Sequence, residues 1–144
     1  MPTVRRSVLV AHRAVSMFEL VDRVEDYPRF LPWCGGSAVL ARDARITRAR
    51  IDIDFRGLRQ SFTTENAKTP GESIRLRLVE GPFSALHGSW TFQALSPAAS
   101  KVTLELDYAF GNVALEKVVG PVFSIITETM VDRFVARADA LAVP

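Results

Sequence analysis

Covalent or acid–base chemistry in this chain would have to come from Cys34, His12, His87 or the carboxylates, the residue types that supply nucleophiles and proton carriers near neutral pH. Cys34 stands between Trp33 and Gly35-Gly36. A catalytic thiol needs a base within reach, and neither histidine is its neighbour in sequence, so a buried, inert cysteine is the simpler reading. Two isolated histidines and one cysteine show none of the close spacings that hold a metal, and no metal site is expected. His87 falls on the polar side of its strand and reads as an exposed histidine. Asp52 and Asp54 point to one face of one strand, but Arg50 and Arg56 flank them there, and charge pairing across strands accounts for them. Glu80, just before Gly81-Pro82, has the position of a general acid at a strand end, and a solvated loop carboxylate explains it more simply. Gly111-Asn112 and Gly120-Pro121 do not match a phosphate-binding loop. No catalytic residue and no required cofactor follow from these residues.

Two other sets of side chains suit binding. Phe30, Leu31 and Trp33 lie on a helical turn. Phe55, Phe62, Trp90 and Phe92 lie on strands, and Phe123, Ile126, Met130 and Phe134 on a terminal helix. They face a common space, and aromatic and methionine side chains suit an apolar ligand. An ordinary filled core uses the same residues, and periodicity does not separate the two. The second set is Arg48, Arg50, Arg56, Arg59, Arg75 and Arg77 on the polar face of the middle strands, with Asp52, Asp54, Glu65 and Glu72 among them. One reading is a solvated face with cross-strand ion pairs. The other is a patch for RNA phosphates or anionic lipid. Little aromatic interleaving on that face argues against base-by-base reading of single-stranded RNA, and nothing calls for DNA.

These sets need elements to place them. Val4 to Ala11 reads as a strand. Ala14 to Val24 reads as a helix, poorly marked at its start because Arg13 stands where a capping Ser or Asp would be expected. Asp26 to Trp33 carries two prolines and reads as a short helix or turn pair ending before Pro32, with Gly35-Gly36 closing the helical section. From Ser37 the period becomes two. Ala49, Ile51, Ile53 and Phe55 share one face, then Gln60, Phe62 and Thr64, then Ile74, Leu76 and Leu78. Leu86, Gly88, Trp90, Phe92 and Ala94 follow, and last Val102, Leu104, Leu106, Tyr108 and Phe110. Turns fall at Gly57, Thr69-Pro70-Gly71, Gly81-Pro82 and Ser96-Pro97. After Gly111 the period is helical again, with Asn112 as cap and one broad apolar stripe from Leu115 to Leu141. Pro121 is expected to kink that helix or split it. The order predicts an α+β fold: an antiparallel sheet of about six to seven strands, two short helices after the first strand, and a long terminal helix covering the apolar face.

Length and composition agree. The chain has 144 residues, 48% hydrophobic and 24% charged, with a formal net charge of +2, which fits one globular domain over 1–144. One cysteine allows no internal disulfide. The apolar run after Arg5-Arg6 is too short for a signal peptide, and no stretch approaches a membrane span. A cytoplasmic protein is expected, with peripheral contact at the inner face of the membrane still open.

Tyr27-Pro28-Arg29-Phe30-Leu31-Pro32-Trp33-Cys34 resembles the YPxFLPWC stretch of the coenzyme-Q-binding START-domain family, also labelled polyketide cyclase/dehydrase-like, in the SRPBCC superfamily. Gly81-Pro82-Phe83 with Leu86, Gly88, Trp90 and Phe92 resembles its GPFxxLxGxWxF stretch. Phe110 and the helix through Phe134 and Ala138 resemble its ending. The resemblance implies a START-like helix-grip fold. For function the family divides. Its mitochondrial members bind ubiquinone in support of respiration. Its bacterial ribosome-association toxins are described as binding the large ribosomal subunit and blocking subunit joining. The cyclase label comes from more distant relatives. The resemblance thus implies, first, a non-enzymatic carrier of ubiquinone or a similar polyprenyl lipid. Phe30, Leu31, Pro32 and Trp33 would then wall the entrance, with Trp90, Phe92, Phe123 and Met130 inside. The rival is a regulator that binds the large ribosomal subunit through the arginine face. A polyketide cyclase would need placed acids or bases, and the inward polar residues read from alternation are only Gln60, Thr64 and Tyr108.

Overall fold

The computed structural model describes residues 2–144. Strand β1 (Thr3–Val10) leads into helix α1 (Ala14–Asp22) and a 3₁₀ helix (Val24–Arg29). Six strands follow: β2 (Cys34–Arg42), β3 (Ile46–Phe55), β4 (Leu58–Thr69), β5 (Ser73–Glu80), β6 (Phe83–Ser96) and β7 (Ala99–Phe110). Helix α2 (Val113–Leu141) ends the chain. The strands form one antiparallel sheet in the order β1-β7-β6-β5-β4-β3-β2. Helix α2 packs on β7, β1 and α1, while α1 lies on β5 to β7 and the 3₁₀ helix on β2. The alternation over β3–β7 puts its apolar side under these helices, where Ala49, Ile53, Ile74, Trp90, Leu104 and Leu106 are buried. Asn112 caps α2 as its side chain predicts, accepting from the Leu115 N–H at 2.9 Å.

Four local expectations fail. Helix α2 is continuous through Pro121. The proline is exposed, so the Lys117 carbonyl that loses its donor is on the solvent side and can turn to water, while Val119 and Phe123 hold the other side in the core. Strand β2 begins at Cys34 rather than after Gly36. The two glycines are there because β3 crowds them: a Cβ on Gly35 would lie 2.7 Å from Asp54 Cβ, and one on Gly36 2.8 Å from Asp52 Oδ2. Thr63, outward by alternation, is buried, because the β4–β5 register shifts between Thr63 and Thr64 and sets it between Arg50 and Glu80 of the flanking strands. Arg56 leaves the sheet face altogether. It forms the β3–β4 turn with φ 52° and lays its guanidinium over the Phe55 ring, 5.0 Å from the centroid.

The candidate ligand cavity and the arginine face

Between the sheet and the helices lies a cavity lined by β3 to β7 (Ile51, Phe62, Thr64, Asn66, Ile74, Leu76, Leu86, Trp90, Leu106), by Val21, Val24 and Tyr27, and by Phe123 and Met130 of α2. Its volume is about 60 Å³, room for a few water molecules. Four of the expected ligand residues meet here: Phe62, Trp90, Phe123 and Met130. The others are in the core or outside it. Phe134 stands edge-on to Tyr27, Phe30 and Trp90 at 5.2–5.3 Å between centroids, and so plugs the helix-side wall. Phe92 stacks on Trp90 and meets Phe18. Leu31, Trp33 and Ile126 are buried without lining the cavity. Phe30 is half-buried with Arg137 over its ring, Phe55 is half-buried at the hairpin end, and Pro32 is exposed. Apart from Pro32, all of these point inward. What separates wall from filler is where α2 crosses the sheet.

The structure adds inward polar residues to those read from alternation, among them Thr47, Asn66 and Lys68, all buried. Continuing the Phe62–Thr64 alternation down β4 reaches Asn66 and Lys68. The Lys68 ammonium lies 3.3 Å from Asp22 at the end of α1, and the Thr47 hydroxyl donates to the same carboxylate at 3.3 Å. Of the polar groups that alternation does place inward, Thr64 lines the cavity. Gln60 is half-buried beside Asp52 and Asp54. Tyr108 packs edge-on to Phe123 at 4.7 Å, and burial raises its pKa.

The remaining candidates for chemistry are dispersed. Burial pushes the Cys34 thiol up to about 11, and its sulfur donates to the Gly36 carbonyl. His12 sits against the end of α2, bonded to Asp139 and the Val143 carbonyl. His87 faces Asp107 on the outer side of the sheet, 3.7 Å away. Asp52 accepts from Ser61 at 2.7 Å and from Arg50, and these bonds hold its pKa below the usual carboxylate range. Glu80 is exposed at the end of β5. Among the described residues no three His, Cys, Asp or Glu side chains gather as a metal site, and no helix is long and apolar enough to cross a membrane.

The arginine face is assembled by register. Arg48, Glu65 and Arg77 sit side by side on β3, β4 and β5, with Glu65 3.1 Å from Arg48 and 2.6 Å from Arg77. Both bonds hold the Glu65 pKa low, Arg77 having the larger effect. Arg50 pairs with Asp52 at 3.0 Å and Arg59 with Asp54 at 3.7 Å. Among the described residues, Arg75 and, at the turn, Arg56 have no carboxylate within salt-bridge distance. Five of the six arginines stay on the face. Four of them pair with Glu65, Asp52 and Asp54, and Arg75 is left without a partner among the described residues. On the β7–β1 side, Arg5 is matched by Glu105.

A curved seven-stranded sheet closed on one long helix, with two short helices inserted after the first strand, defines the START-like helix-grip class. The chain belongs to the polyketide cyclase/dehydrase and lipid transport family, which matches residues 10–135. It is 41% identical over 138 residues to the ribosome association toxin RatA of Pseudomonas aeruginosa, covering 96% of both chains. It is 44% identical over 138 residues to RatA of Vibrio cholerae, again covering 96% of both. The mitochondrial coenzyme Q-binding protein of Schizosaccharomyces pombe is 26% identical, over 93% of this chain and 85% of that one. Among solved structures, the aromatase/cyclase Zhui from a Streptomyces species superposes with a TM-score of 0.84, over 96% of this chain and 93% of that one. At 17% identity that likeness speaks to the fold alone.

Proposed function

We propose that this protein is a ribosome-association factor that binds the large ribosomal subunit through the arginine face of β3–β5. The observation that carries the reading is the near-full-length identity to ribosome association toxins at 41% and 44%. The surface is physically suited to the role. Arginine forks match phosphate geometry, and cations gathered on the outer face of the sheet favour the ribosomal RNA backbone. The pairs with Glu65, Asp52 and Asp54 hold those arginines at fixed spacing. The test is a sucrose gradient of dissociated ribosomal subunits with added protein at low salt. The protein should migrate with the large subunit, and the variant carrying Arg48→Gln, Arg50→Gln, Arg75→Gln and Arg77→Gln should stay near the top. Protein absent from the large-subunit fractions would defeat the reading.

A second reading is favoured by the cavity itself: it takes a small apolar ligand, of which a quinone ring is one kind. Its lining is aliphatic and aromatic apart from Thr64, Asn66 and Tyr27, and one relative is named for binding coenzyme Q. Cyclase chemistry has less support. It needs a placed acid or base, and no His, Asp, Glu, Lys or Cys is among the lining residues.

A further inference from the structure

The cavity lining carries few polar groups: Tyr27, Thr64, Asn66 and the Trp90 indole N–H. The Tyr27 hydroxyl is spent on the Val21 carbonyl. The Thr64 hydroxyl donates to Asn66 Oδ1 at 2.8 Å. In that arrangement the amide oxygen faces Thr64 and the nitrogen points away from it. Asn66 is 8% exposed, yet its Nδ2 donates to no described residue. Among the described residues, the only side-chain polar atom sealed from all space without a partner is Trp33 Nε1. The Asn66 nitrogen is therefore not sealed off, and its residue lines the cavity. A buried N–H without an acceptor is costly, so an acceptor brought to it gains stability.

We propose that Asn66 is the polar anchor of the cavity. It donates from Nδ2 to a carbonyl oxygen on a small, flat, apolar ligand whose body lies against Leu76, Trp90 and Met130. The inference rests on the reading that the cavity takes an apolar ligand, and adds which chemistry it selects. The lining contains no Lys, Arg or His, so a carboxylate or phosphate would enter unpaired at high cost. Of the lining's polar hydrogens, those on the Asn66 nitrogen and on Trp90 Nε1 have no partner among the described residues, so the matching ligand group is a neutral acceptor.

Two probes of one shape isolate this hydrogen bond: 1-indanone, with a ring carbonyl, and indane, with a methylene in its place. Binding of each is followed by titration into isotope-labelled protein, reading the Asn66 side-chain amide signals. Indanone should bind roughly tenfold more tightly than indane, the size of one buried neutral hydrogen bond, and should move those signals. Asn66→Leu should erase the preference by weakening indanone while indane holds or gains. Asn66→Ala, which adds no bulk, should erase it too. Equal binding of both probes with unmoved Asn66 signals would overturn the anchor and leave the cavity reading standing. Binding of neither probe would overturn both.

Discussion

His12 is held between two oxygens, with the Val143 carbonyl 2.7 Å from Nδ1 and Asp139 Oδ1 2.6 Å from Nε2. A neutral imidazole donates from one nitrogen only, so both contacts are hydrogen bonds only in the protonated ring. The Asp139 bond, and after it the Val143 bond, raise the His12 pKa above 6.5 against the opposing effect of burial. The folded value lies above the unfolded one. The stabilisation is therefore complete below about pH 6.5 and fades as pH rises through the folded value. His12→Asn should lower the thermal midpoint most in the acidic range, and the gap from the parent should narrow as pH rises. Asp139 is largely exposed, so added salt should shrink the gap as well. A gap that does not change with pH would mean His12 is neutral in the fold. Because these contacts tie the end of α2 to the loop after β1, the residue acts on the helix that closes the grip.

At the scale of elements, the Lys68–Asp22 pair fastens α1 to β4 beside the cavity. The lysine side chain is 4% exposed and the aspartate 21%. Removing one partner of a buried pair leaves the other charge uncompensated. Lys68→Ala should cost roughly 3 kcal/mol in urea unfolding. The double variant with Asp22→Ala should cost less than the two single changes together. A loss for Lys68→Ala of the size ordinary for a surface lysine, under about 0.5 kcal/mol, would show that the strut does not bear on stability.

The elements also show what local pattern carries. Alternation places β3 to β7, and Asn112 marks the start of α2, because both signals are written in neighbouring residues. Gly35 and Gly36 read as breakers, yet they serve a close approach to Asp52 and Asp54 on the next strand, which no local window contains. Pro121 reads as a break because its effect depends on which way the freed carbonyl faces. Asn66 and Lys68 are within reach of the alternation, but a lysine and an asparagine near a turn look like surface. The cavity wall is only partly readable from pattern. Phe62 and Phe92 occupy equivalent inward positions, and only the path of α2 and α1 over the sheet makes one a wall and the other filler.

For the whole molecule, net charge says little and its distribution says more. A formal +2 is too small to draw the protein strongly to RNA, whereas the arginines gathered on β3–β5, with Arg75 unpaired among the described residues, place positive charge on that one face. The cavity lies on the opposite side of the same strands, so the sheet presents two surfaces with different chemistry. Changes at Asn66 should leave ribosome association alone, and changes at the arginines should leave the cavity alone.

The most direct test is the salt dependence of binding to purified large subunits, for the parent protein and for the variant with Arg48, Arg50, Arg75 and Arg77 changed to Gln. Arginines that neutralise phosphates release counterions, so affinity for the parent should fall steeply and linearly in the logarithm of salt. The variant should bind more weakly, with a slope shallower by roughly one for each phosphate it no longer neutralises. Equal affinity and equal slope for the two proteins, or binding by the parent that salt does not weaken, would contradict association through the arginine face.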